Sequence, residues 1–201
     1  MNETRSPRPR PIIFLALALA LAVSACSGRS EEPPLKGAAI GGPFTLTNQD
    51  GRRVTEQDFA GRYRLLYFGF THCPDVCPTD LAVVGQALRS FEKSHPQRAA
   101  RLAAIFVSVD PERDTPAVLK EYVSAFHPRL IGLTGTPEQV ADMTKRYGAY
   151  GAKDPEARGA GYNVNHSRLL ELIGPDGKPI AFLPADKGAE AVAAELDRWV
   201  R

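Results

Sequence analysis

The sequence predicts a mixed α/β domain, a central sheet with helices on its faces. Short apolar runs of strand length alternate with segments whose apolar residues recur every three or four positions, and the chain finishes in a hairpin. In order, Phe44-Thr-Leu-Thr, the turn Asn48-Gln-Asp-Gly51 and a return through Val54 read as an opening hairpin. Leu65 to Phe70 is a buried-strand run. Pro78-Thr-Asp, followed by Leu81, Val84, Leu88 and Phe91, reads as a helix over 78–93, with Pro78 suited to its first turn. Leu102 to Val109 is a second buried strand, ending at Asp110-Pro111. Helices follow at 116–126 and 137–147 around a short strand at 130–133. Residues 148–163 carry neither period and are rich in Gly, Ala and charge, which reads as an excursion loop. Arg168 to Ile173, the turn Pro175-Asp-Gly177 and Pro179 to Leu183 form a terminal hairpin, and Ala189 to Val200 closes the chain as an amphipathic helix.

The strand at 65–70 delivers Cys73 and Cys77 to the start of a helix, in Tyr67-Phe-Gly-Phe-Thr-His-Cys-Pro-Asp-Val-Cys-Pro-Thr-Asp80. Unpaired backbone N–H groups and the positive end of the helix dipole favour thiolate there, and Asp75 opposes this. Side chains four apart on a helix are neighbours at about 5–6 Å between Cβ atoms, close enough for both sulfurs to hold one ion. The same spacing admits a disulfide if Cys73 lies off the helix end. Tyr67, Phe68 and Phe70 read as core. A haem attachment is disfavoured, because three residues separate the cysteines and no histidine follows. The glycines of 148–161 do not lead from a strand into a helix, which argues against a phosphate-binding loop.

The N-terminus tells a separate story. Arg5, Arg8 and Arg10 precede the apolar run Ile12 to Val23 and then Ser24-Ala25-Cys26, the order of a secretory signal. The run is too short to span a bilayer comfortably. Val23-Ser-Ala-Cys26 resembles the lipobox of bacterial lipoproteins, which implies a leader at 1–25, lipidation of Cys26 and a flexible tether over 26–42 before a domain at 43–201. An uncleaved or differently cleaved signal is the alternative. The leader and Cys26 hold three of the 25 basic and one of the 23 acidic residues, so 22 of each remain beyond them. A neutral domain without a basic block offers no nucleic-acid surface. An exported domain with only two cysteines left is not a disulfide-scaffolded fold, and its pair can cycle.

The order of strand, cysteine turn, helix, strand and closing hairpin resembles the thioredoxin-like fold. The strings Phe68-Gly-Phe-Thr-His-Cys-Pro-Asp-Val-Cys-Pro78 and Ser108-Val-Asp-Pro-Glu-Arg-Asp-Thr-Pro116 resemble the Sco/SenC family of copper-binding assembly factors for cytochrome c oxidase, over a stretch from about Phe44 to the C-terminus. The resemblance implies copper as Cu(I) or Cu(II), held by Cys73, Cys77 and His166, since soft thiolates suit Cu(I) and imidazole extends the site towards Cu(II). It makes Asp110 a candidate to orient a ligand or tune the site's charge, against a plain role in capping the turn at Pro111. Where the family usually has Asp before the ligand histidine, this chain has Asn165. His72 reads as structural, and His95 and His127, each followed by proline, as solvated or capping. The implied function is a lipid-anchored copper chaperone on the periplasmic side of a bacterial membrane. Its implied partners are cytochrome c oxidase subunit II, another periplasmic copper carrier and a thiol-disulfide reductase. The alternative is that Cys73 and Cys77 are the redox pair of a reductase that keeps subunit II cysteines reduced. Thioredoxin-like oxidoreductases carry a proline opposite their thiols, where this chain offers His166-Ser167, which favours the metal site. A peroxidase is a third alternative.

Overall fold

The computed structural model describes residues 31–154 and 161–201, and Pro33–Arg201 form one compact unit. The expected leader and Cys26 lie outside the described residues. Strands β1 (Thr45–Asn48), β2 (Arg53–Thr55), β3 (Tyr63–Gly69), β4 (Leu102–Ser108), β5 (Leu130–Thr134), β8 (Leu170–Ile173) and β9 (Pro179–Phe182) form a seven-stranded sheet in the order β2-β1-β5-β4-β3-β8-β9. The three central strands are parallel, β3 to β4 and β4 to β5, while the outer strands run antiparallel. Every residue of β3 and β4 is buried, as continuous apolar runs in the middle of a sheet covered on both faces must be.

The helices are α1 (Val76–Ser94), a short α2 (Pro96–Ala100), α3 (Pro116–Phe126), α4 (Pro137–Arg146) and α5 (Ala189–Trp199). Cys77, Leu81, Val84, Leu88 and Phe91 make the buried stripe of α1. Thr115 and Thr136 cap α3 and α4, each with proline in the first turn. Tyr122 of α3 packs on Phe106 of β4, whose ring stacks with Tyr67 of β3, so α1 and α3 share one face of the sheet. Tyr147, just after α4, packs against Phe68 on the opposite face.

Two expectations need correction. The stretch before Phe44 is not a free tether throughout: the Leu35 N–H donates to the Ile180 carbonyl at 3.0 Å, the Gly41 N–H to that of Arg146 at 2.9 Å, and Ile40 packs on the core. The excursion also holds a strand, because β6 (Gly151–Lys153) pairs antiparallel with β7 (Val164–His166) as a separate two-stranded sheet. Its sequence hid this, since three-residue strands leave no period to read.

Candidate metal centre

The site stands at the C-terminal ends of β3 and β4, where open parallel sheets gather their ligands. Beyond β3 the chain turns, the Cys73 N–H donating to the Phe70 carbonyl at 3.2 Å, and enters α1 at Val76. Cys77 is therefore inside the first helical turn and wholly buried, whereas Cys73 lies in the loop, half-buried. The Cys77 N–H points at the Cys73 sulfur from 3.5 Å, one of the unpaired donors expected at a helix start. For Cys77 itself burial works against the anion: desolvation pushes its thiol pKa up, although hydrogen bonds from the Phe70 backbone and Tyr67 act in the opposite sense. The expectation of a thiolate-favouring environment thus fails for Cys77, whose anion needs a positive charge or a metal ion to be stable there.

The loop is held by a buried carboxylate. Asp114 accepts from the Thr71 N–H at 3.0 Å, the Thr71 hydroxyl at 2.6 Å and the Ser108 hydroxyl at 2.6 Å, stitching the cysteine loop to the end of β4. Gly69 is required by close approach, because a Cβ there would stand 2.7 Å from the Cys77 sulfur.

His166 arrives from the other side, at the end of β7. Its Nε2 lies 3.3 Å from the Cys77 sulfur and 4.0 Å from that of Cys73. The three donor atoms fall within 4.8 Å of one another, and among the described residues no other trio of His, Cys, Asp or Glu meets that standard. The ring's Nδ1 is 2.9 Å from the Ser167 carbonyl, which can only accept, so Nδ1 carries the proton and Nε2 offers its lone pair to the sulfurs. The edge of the His166 ring also meets Phe70, centroids 5.6 Å apart. The arm is set by its own pairing: Gly151 opposes His166, the Ser167 N–H donates to the Tyr150 carbonyl, and a Cβ on Gly151 would strike Val109 at 2.6 Å. Two thiols and an imidazole make a soft, three-donor site suited to a transition metal.

Asp110 does not reach this trio. Its carboxylate accepts from Tyr162 at 2.6 Å and Arg113 at 2.5 Å, and Arg113 lies over the Tyr162 ring at 3.7 Å, so Asp110 anchors the return of the excursion while its backbone forms the 110–114 turn. Asn165 is exposed opposite Ala152, and alternation along β7 turns its side chain away from that of His166. His72 meets Thr71 at 3.0 Å and Asp114 at 3.8 Å, outside the trio. His95 pairs with Asp197 at the end of α1. His127 takes the expected capping place at the end of α3 but is buried rather than solvated, accepting from the Arg129 N–H and facing Glu92. Gly69, Asp80, Asp114 and Arg168 were not singled out by sequence, although Asp80 was visible as an acid on the apolar stripe of α1.

Comparisons with known proteins agree with this geometry. The SCO1/SenC family profile matches residues 32–201. The chain is 43% identical over 171 residues to "Protein SCO1 homolog 1, mitochondrial" of Arabidopsis thaliana, covering 85% of this chain and 50% of that one; it spans about half the length of the curated relatives it matches. Among solved structures, copper-bound ScoI of Bradyrhizobium japonicum superposes with a TM-score of 0.72 at 43% identity, covering 80% of this chain and 99% of that one. BsSco, described with a disulfide switch as a member of the Sco family of cytochrome c oxidase assembly proteins, gives 0.62 at 26% identity, over 83% and 95%. The thioredoxin domain of a thiol-disulfide oxidoreductase from Bacteroides vulgatus, at 17% identity and 0.55 over 81% and 96%, shares the fold alone, which is thioredoxin-like as expected. On the family profile and on these identities, the chain belongs to the SCO1/SenC family.

Proposed function

We propose that this protein is a copper chaperone that binds one copper ion through Cys73, Cys77 and His166 and passes it, by ligand exchange, to the dinuclear copper site of cytochrome c oxidase subunit II. The observation that carries the reading is the convergence of two free sulfurs and a lone-pair-bearing Nε2 within 4.8 Å. It is supported by the copper-bound relative and by the oxidase-assembly description of BsSco. Two thiolates satisfy Cu(I), and the imidazole supplies the harder donor that Cu(II) favours. Half-buried Cys73 is the sulfur an incoming acceptor ligand reaches first, with buried Cys77 as the donor released last. In this reading the leader directs export to the periplasm, lipidated Cys26 anchors the chain to a bacterial membrane, and the short stretch before Pro33 links anchor to domain.

Copper titration of the reduced chain under anaerobic conditions tests this. One ion is expected per chain, lost in Cys73→Ser and in Cys77→Ser, with a thiolate-to-Cu(II) absorption band altered in His166→Ala. Absence of saturable binding to the reduced wild type would overturn it.

A second reading rests on the same free, adjacent thiols. In a reductase, the Cys73 thiolate would attack a disulfide of subunit II, expelling one partner thiolate and forming a mixed disulfide. Cys77, losing its proton, would then attack the Cys73 sulfur of the mixed disulfide and expel the partner's second thiolate, leaving subunit II with two thiols and this chain with a Cys73–Cys77 disulfide. A separate thiol-disulfide reductase would restore the chain. This reading predicts stoichiometric reduction of oxidised subunit II that survives His166→Ala, and it falls if the reduced chain leaves that disulfide intact.

A further inference from the structure

The carboxylate of Asp80 is wholly buried and accepts three hydrogen bonds. The Tyr67 hydroxyl donates to Oδ2 at 2.9 Å, and the Arg168 guanidinium donates through Nε to Oδ2 at 2.7 Å and through Nη2 to Oδ1 at 2.6 Å. None of the three is a metal donor, yet each adjoins one. Asp80 follows Cys77 by about one turn of α1, Arg168 follows His166-Ser167 in the chain, and the Tyr67 phenol lies against both Asp80 and the Cys77 sulfur.

The bridge is not explained by the needs of Arg168, whose side chain is 44% exposed and has water available. A buried carboxylate on the apolar stripe of a helix is costly unless a fork of donors meets it, and Arg168 supplies that fork. Its mechanical effect is specific. The arm's other hydrogen bonds near His166, from Ser167 to Tyr150 and across the Gly151–His166 pair, join the arm to itself, and it meets the rest of the domain there by packing, the His166 ring on Phe70 and Gly151 on Val109. Arg168 to Asp80 joins it to the cysteine helix.

We infer that Arg168 and Asp80 are positioning residues, a strut across the site that holds the His166 imidazole against the Cys77 sulfur and so sets how much more tightly Cu(II) is held than it would be by the thiolates alone. This deepens the copper reading and rests on it for its functional half. Cu(I), satisfied by two thiolates, depends on the strut far less.

The test uses the full chain, with Cu(I) and Cu(II) affinities measured by competition with chelators for wild type, Arg168→Gln, Arg168→Lys, His166→Ala and the His166→Ala/Arg168→Gln double variant. Arg168→Gln is expected to weaken Cu(II) about 10–100-fold and shift the thiolate-to-Cu(II) band, with a much smaller change for Cu(I). Arg168→Lys, which keeps the charge but loses the fork, recovers only part. Once His166 is gone, Arg168→Gln has no further effect on Cu(II), because the strut acts through the ring. In the metal-free chain, NMR contacts between the His166 and Phe70 rings weaken in Arg168→Gln. Equal losses of Cu(I) and Cu(II) accompanied by a lower Tm would overturn the inference by showing general structural support, as would additive losses in the double variant or an unchanged Cu(II) affinity and spectrum. A wild type that binds neither ion overturns the copper reading instead, and the ring contacts of the metal-free chain still decide the strut: weakened in Arg168→Gln they uphold it, unchanged they end it.

Discussion

Cys73 and Cys77 stand beside the most deeply buried part of the molecule, the end of β3 and the first turn of α1, whereas His166 stands on β7, whose described partner is the three-residue β6 outside the main sheet. The thiol side is fixed by apolar packing and by Asp114, with Gly69 pared back to admit the Cys77 sulfur. The imidazole side adds to the packing of Val164, of His166 on Phe70 and of Gly151 on Val109 a set of polar contacts: Ser167 with Tyr150, Arg168 with Asp80, and Arg113 with Asp110 and Tyr162. Packed cores resist displacement and polar clasps on small sheets yield more readily. The difference suits the proposed carrier: its sulfurs sit against the main core, and its third donor sits on a smaller sheet tied to the domain by fewer contacts.

The comparison breaks most decisively at the thiols. Cys77→Ser is expected to abolish tight binding of both copper oxidation states, whereas His166→Ala weakens Cu(II) about 10–100-fold and leaves Cu(I) bound by the sulfur pair. Competition titrations read both. Equal sensitivity to the two substitutions would erase the distinction between the sides.

Gly69→Ala tests the packing half. The added methyl would meet the Cys77 sulfur at 2.7 Å and the rings of Phe106 and Tyr67 at 3.1 Å, so a loss of about 1–3 kcal/mol in denaturant unfolding is expected. His166→Ala, on the arm, should cost well under about 1 kcal/mol of global stability, as half-exposed positions usually do. A larger loss from the arm than from Gly69 would invert the account.

Glu171 sharpens the picture of the core by its pH dependence. It is wholly buried in β8, neither carboxylate oxygen has a hydrogen-bond partner, and burial pushes its pKa from 4.5 up to about 8. The unfolded chain therefore loses this proton first as pH rises. Stability present below pH 4.5 is lost between 4.5 and about 8, at up to about 1.4 kcal/mol per pH unit, and the loss levels off above. Glu171→Gln is expected to flatten that slope in urea unfolding measured from pH 5 to 8. An unchanged slope would mean that Glu171 finds a partner.

Much of this was legible in the residues. Continuous apolar runs gave β3 and β4, because that signal is local, and α3 and α4 carry a local start signal too, a capping threonine followed by proline. The thiols were legible from their place between a strand and a helix, and His166 from its resemblance to a family pattern. What sequence left unread depends on contacts between distant segments. The β6–β7 pairing is three residues long, and the burial of Cys77 that raises its thiol pKa follows from what packs on it. Asp80 and Glu171 did leave a trace, each an acid in an apolar pattern, and each proved to be a buried carboxylate, one satisfied by Tyr67 and Arg168 and one left alone.

The central claim, that core-mounted thiols and an arm-mounted imidazole meet on one copper ion, is tested most directly by X-ray absorption of the copper-loaded full chain beside its His166→Ala variant. Two sulfur ligands and an imidazole in the wild type, with both sulfurs kept and the imidazole lost in the variant, is the predicted result. Copper with fewer than two sulfur ligands, or an imidazole signal unchanged by the substitution, would contradict it.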